Sequence, residues 1–131
     1  MLKFLKKGKL LVLTLTSGLM LTGGLVSAGT DWSGTESKSL PGYNGSAYSS
    51  TQTKAGIGKA GLRMHATEAY EIDVRTEGTS TSVNGAWLRD VLGGNIYELS
   101  APQEVGSNLR LHFSSNLLSP ATNIVYEWRS N

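Results

Sequence analysis

A small antiparallel β-sandwich is the fold class that this sequence predicts, and three observations carry it. Apolar and polar residues alternate strictly in several short runs, the period of a strand with one buried face. The runs recur at short intervals, separated by Gly, Asn, Pro and Ser. No stretch beyond residue 28 has the 3.6-residue period of an amphipathic helix. About eight short strands are expected, in an immunoglobulin-like or jelly-roll-like layout, with a small β-barrel as the alternative.

Residues 1–28 read as a secretory signal peptide. Lys3, Lys6, Lys7 and Lys9 form a basic start, residues 10–21 are mostly apolar, and Val26-Ser27-Ala28 places small residues at the cleavage position. The apolar run is diluted by Thr22, Gly23 and Gly24, short of the roughly 20 residues a spanning helix needs. Residues 29–53 are rich in Ser, Thr and Gly, so a partly mobile segment is expected there, with an edge hairpin at Asn44-Gly45. Residues 54–131 are expected to form the sandwich itself.

Within that region, residues 61–66 and 70–76 alternate so that Leu62, Met64, Ala66, Tyr70, Ile72 and Val74 point inward. Arg63, His65, Glu71, Asp73 and Arg75 then point to solvent. The short connection at 67–69 predicts that these two strands are antiparallel neighbours. Residues 79–83 and 86–91 flank Asn84-Gly85, a type I′ hairpin signal, and Gly93-Gly94 leads to a further strand at 95–99, giving a three-stranded meander. Residues 108–113 alternate again, with Leu109, Leu111 and Phe113 inward. Residues 124–129 close the fold, with Ile124, Tyr126 and Trp128 on one face.

The precursor carries 12 Lys+Arg against 10 Asp+Glu. Four of the lysines lie in the leader and none of the acids do, so the remaining 103 residues carry 8 against 10, net −2. The basic balance of the whole chain is therefore no sign of nucleic-acid binding, and none is expected. Stable membrane insertion is not expected once the leader is gone. The chain has no cysteine, which excludes disulfides and a lipid anchor on cysteine. Secretion, to the cell surface or the medium, is the expected destination.

Leu62-Arg63-Met64-His65 and Leu109-Arg110-Leu111-His112 share one pattern, and Tyr70-Glu71 is matched by Tyr126-Glu127. Two halves of that kind could pack as a pseudo-symmetric sandwich. If the two strands are neighbours, Arg63, His65, Arg110 and His112 share a surface suited to an anion or a sugar acid, because guanidinium forks bind carboxylate and phosphate. Adjacent arginines repel a dication, so no metal is expected and no cofactor is implied. Glu71 and Asp73 lie two apart on one strand face, which suits a charged outer face paired with Arg75 better than the cleft-flanking carboxylates of a glycosidase. No Gly-x-Ser-x-Gly elbow occurs, and no catalytic residue is assigned.

Aromatics are the other lead. Trp87, Trp128, Tyr70 and Tyr126 fall on core positions, whereas Trp32, Tyr43, Tyr48 and Tyr97 sit in polar or turn-rich settings. Trp32 and Tyr97 join Arg63, His65, Arg110 and His112 as candidate ligand-binding residues, with the docking of the N-terminal segment as the competing role of Trp32. The layout of leader, polar stretch and cysteine-free β domain resembles small exported proteins of Gram-positive bacteria, some of which are antimicrobial. The expected function is a secreted, non-enzymatic binding module whose partner is a cell-wall glycan or an envelope protein. A secreted bacteriocin-like antimicrobial is the alternative, and a small extracellular hydrolase a second one.

Overall fold

The computed structural model describes residues 27–131, so most of the predicted signal peptide lies outside the described residues. Among the described residues ten strands form two sheets: β1 (Ser27–Ala28), β2 (Glu36–Leu40), β3 (Ser46–Tyr48), β4 (Gln52–Thr53), β5 (Ala60–Ala66), β6 (Ile72–Gly78), β7 (Leu88–Val91), β8 (Asn95–Leu99), β9 (Asn108–Ser115) and β10 (Thr122–Arg129). Sheet I has the order β1-β4-β9-β6-β7, with β3 also on β9. Sheet II has the order β2-β10-β5-β8. All ladders are antiparallel except the two-residue β1–β4 pairing. The predicted cleavage after Ala28 falls at the end of β1.

This is jelly-roll connectivity, a sandwich of two face-packed sheets, and neither the immunoglobulin-like layout nor the closed barrel is adopted. Exchanging β2, β4, β5 and β6 with β7, β8, β9 and β10 turns the order of one sheet into that of the other. Apart from β1, every ladder joins the first half of the chain to the second.

The alternation places the core. Leu62, Met64, Ile72, Val74, Leu109, Leu111, Phe113, Ile124, Tyr126 and Trp128 all reach the sheet interface and are excluded from solvent. Tyr70 does not. It stands ahead of β6, in the 67–71 connection, and is exposed. Asp73 is buried rather than solvated, because Arg89 and the Asp90 N–H cover its carboxylate.

Local turn signals misplace four connections. Residues 67–71 do not join neighbours: β5 lies in sheet II and β6 in sheet I. The five-residue link can arch the roughly 10 Å between sheets, with Glu68 at φ 57° and Thr122 Oγ1 donating to Thr67 O at 2.9 Å. Gly93-Gly94 is likewise an arch from β7 to β8, so no meander forms. Asn44-Gly45 joins β2 of sheet II to β3 of sheet I, with Tyr43 and Asn44 carrying the positive φ values.

At Asn84-Gly85 no hairpin turn forms. Residues 79–83 are not a strand; Gly78 N–H bonds Val83 O at 2.9 Å, and Asn84 makes an isolated bridge to Glu77. Gly85 is needed for close approach, since a Cβ there would overlap Ser100 O and Thr76 Oγ1. In the three arches the strand beside the turn gains more from a distant partner that completes its buried face than from its chain neighbour, whereas β6 and β7 pair with each other through a longer loop.

Residues 36–53 are part of the sandwich, so the boundary expected at residue 54 falls inside sheet I. Leu40 and Gln52 are fully buried, and Glu36 bridges the open edge between the sheets. Glu36 accepts from Tyr126 Oη at 2.7 Å, from Ser50 N at 3.1 Å and from Ser50 Oγ. Burial, together with the bond to Glu36, raises the Tyr126 pKa and keeps the phenol protonated.

Candidate functional site

The two Leu-Arg-x-His runs do not converge. Arg63 and His65 stand on β5 in sheet II, and Arg110 and His112 on β9 in sheet I, so the pairs look out from opposite faces of the sandwich. Each builds its own cluster, and in each a glutamate on the next strand stands opposite the arginine: Glu127 opposite Arg63, Glu77 opposite Arg110. Glu77, not Glu71, is therefore the counterpart of Glu127 in the repeat.

On sheet I, β9, β6, β3 and the residue before β7 set Arg110, His112, Arg75, Glu77, Tyr48 and Trp87 side by side. Arg110 donates to Glu77 Oε1 through Nε (3.0 Å) and Nη2 (2.8 Å). His112 Nδ1 lies 3.1 Å from Glu77 Oε2, and its Nε2 lies 2.9 Å from Ser46 Oγ. The imidazole sits between the rings of Tyr48 (4.7 Å between centroids) and Trp87 (5.1 Å). Guanidinium groups cover the rings: Arg110 over Tyr48 at 3.9 Å, Arg75 over Trp87 at 4.6 Å and Arg89 over Trp87 at 5.9 Å. Trp87, assigned to the core by alternation, belongs to this outer face because the backbone before β7 is not yet paired in the sheet.

Burial pushes the Glu77 carboxyl up, but the hydrogen bonds and charges of Arg110 and His112 outweigh it and hold the group below the ordinary carboxylate range. The sign follows: a lowered native pKa adds stability above the ordinary value of 4.5 that is lost as pH falls through the native one. Chemical denaturation at a series of pH values is expected to show stability falling below about pH 4.5. In Glu77→Gln the curve should be flatter across that range. An unchanged slope would mean that Glu77 titrates alike in both states.

Ser46, His112 and Glu77 follow the hydrogen-bond order of a nucleophile, a base and an orienting carboxylate. Two features distinguish this row from a hydrolytic set. The Glu77 charge is shared with Arg110 and, at 3.4 Å, with Arg75, which leaves less of it to support an imidazolium. The N–H of Gly45, beside Ser46, is committed to Ser115 Oγ at 2.9 Å. The row is an outer-face network that fixes the rings.

On sheet II, Arg63 Nη1 donates to Glu127 Oε1 at 3.1 Å and His65 Nε2 lies 3.7 Å from the same oxygen. The Arg63 hydrogen bond is the main reason that the Glu127 carboxyl sits below its ordinary pKa. Trp32 stacks with Arg63 (3.9 Å) and Arg129 (4.8 Å). The adjoining Ser33 exchanges hydrogen bonds with the Trp128 backbone, which docks the N-terminal segment on this sheet.

Tyr97 is not a free contact residue. Its ring packs against the core, and its Oη bonds Leu92 N at 3.1 Å and Leu92 O at 3.3 Å, closing the arch into β8. Glu71 is exposed and Asp73 buried, so this pair flanks no cleft. Among the described residues no three His, Cys, Asp or Glu side chains gather into a metal-binding group. Sequence reasoning missed Arg75, Glu77, Trp87 and Ser46 as members of one cluster. Alternation placed Arg75 on the outer face, but only the β3-β9-β6-β7 order brings the four together.

A scan of family models and searches of curated proteins and of solved structures found no match to the chain.

Proposed function

We propose that the chain is an exported, non-enzymatic binding module that acts at the cell surface or outside the cell. It takes an anionic cell-wall glycan on the outer face of sheet I. The observation that carries this reading is Arg75. Its guanidinium lies over Trp87, and among the described residues its one ion-pair contact is the 3.4 Å approach to Glu77 and its buried Nε has no hydrogen-bond partner. A guanidinium so lightly used retains donors for a ligand carboxylate. Trp87 and Tyr48 beside it hold the Arg75 and Arg110 guanidinium groups in place by stacking. Export rests on the basic-then-apolar start of the chain.

Isothermal titration of the purified protein with anionic cell-wall polysaccharide tests this. Binding is expected to weaken with added salt, and Arg75→Gln to lower affinity by about tenfold, the worth of one charge-assisted hydrogen bond. Failure to bind any wall polysaccharide, or undiminished affinity in Arg75→Gln, would remove this reading.

A further inference from the structure

The two outer faces can be compared position by position. On sheet I, His112 stands opposite Tyr48, whose ring fills the space beside the His112 imidazole and under the Arg110 guanidinium. Exchange of the halves puts Arg63 and His65 in the places of Arg110 and His112, and Glu127 in that of Glu77. The counterpart of Tyr48 is then Gly94. β8 pairs Asn95 with Met64, and Gly94, the next residue along, donates its N–H to Met64 O at 2.7 Å.

Glycine has no ring to contribute, and a hollow of about 250 Å³ lies there, lined by Arg63, Met64, His65, Gly94, Asn95 and Ile96. It continues past His65 toward Glu68 and Leu92 as a second hollow of about 470 Å³. The chain itself does not fill it: nothing lies within 4 Å of a Cβ built on Gly94, and its φ of 89° disfavours any side chain.

We propose that this hollow is a ligand site for a flat ring bearing an acid group, an aromatic carboxylate, with the ring lying where the Tyr48 ring lies on the other face. The space suffices, since a cavity of about 150 Å³ already holds benzene. Ile96, 72% exposed, forms an apolar wall. Arg63, which lines the hollow, uses one Nη1 bond on Glu127 and stacks on Trp32, so it keeps donors for the acid group. The site does not depend on the glycan reading of sheet I.

The test is a titration of the ¹⁵N-labelled protein with 4-hydroxyphenylacetate, followed by amide shifts. Saturable shifts are expected at Arg63, His65, Gly94, Asn95 and Ile96. Arg63→Gln should weaken binding by about tenfold, and Ile96→Ala, at an exposed position that folding does not need, by several-fold. Tyr48→Ala empties the matching space on sheet I, so a second saturable set should appear at Ser46, Arg110 and His112. Absence of saturation at the Gly94 hollow, indifference to Arg63→Gln and Ile96→Ala, or no second set in Tyr48→Ala would each overturn the proposal. Shifts in the unmodified protein confined to Tyr48, Trp87 and His112 would also overturn it, while leaving the sheet I reading standing.

Discussion

Trp128→Ala is expected to cost about 3–5 kcal/mol of folding stability, the range for emptying a fully packed tryptophan site. Trp128 is the largest fully buried side chain, on β10 opposite Leu62 of β5, with Ser33 bonding its backbone just beyond the end of the β2 ladder. Its ring shares the interior with Tyr126 and Phe113, and its Nε1 donates to Ser50 Oγ at 3.4 Å across the open edge of the sandwich. The surrounding strands are held in ladders on both sides and cannot collapse into the gap. Against a total of about 5–15 kcal/mol for a domain, the loss would be a large share. Urea denaturation followed by circular dichroism measures it. A loss below about 1 kcal/mol would mean that the interior repacks around the missing ring.

Gln52→Ala is expected to cost about 1–3 kcal/mol, because it leaves the buried Ser130 N–H without its partner and removes one of the two donors to Trp128 O, the other being Ser33 N–H at 2.7 Å. Gln52 stands on β4 of sheet I with its side chain pointed across to sheet II. Its Nε2 donates to Trp128 O at 2.9 Å and its Oε1 accepts from Ser130 N at 2.7 Å. The amide thus acts as a short extra strand that holds the end of β10. Nearby, the buried Lys54 donates to Gly58 O at 2.7 Å and Ser130 O at 3.5 Å, and desolvation lowers its pKa. Gln52→Glu should lose as much as Gln52→Ala, since a carboxylate can still accept from Ser130 N–H but repels Trp128 O. Equal stability of wild type and Gln52→Glu would show that the Ser33 N–H alone satisfies the Trp128 carbonyl.

These two residues mark how far the sequence could be read. The burial of Trp128 follows from the alternation of Ile124, Tyr126 and Trp128. The burial of Gln52 has no local signal: it lies among Ser and Thr in a segment whose composition suggests mobility, and its partners are 76 and 78 residues away. The candidate site divides in the same way. Alternation alone puts Arg63, His65, Arg110 and His112 on solvent faces, but whether they share a face depends on strand order. The expected pairing of 61–66 with 70–76 gave the wrong neighbours, and the grouping of the four required 61–66 to lie beside 108–113, which stands in the other sheet.

By itself the sequence determined that this chain forms a two-layered β structure, and which side of each long strand faces its core. Those properties follow from side-chain period, which any short run of residues displays. Only the tertiary structure decided which strands lie side by side, that two arginine–histidine–glutamate clusters stand back to back, and that Gly94 leaves a space where Tyr48 supplies a ring. The physical reason is that an arch between sheets and a hairpin within one use the same turn residues. The choice between them is made by the distant strand whose buried face each one completes.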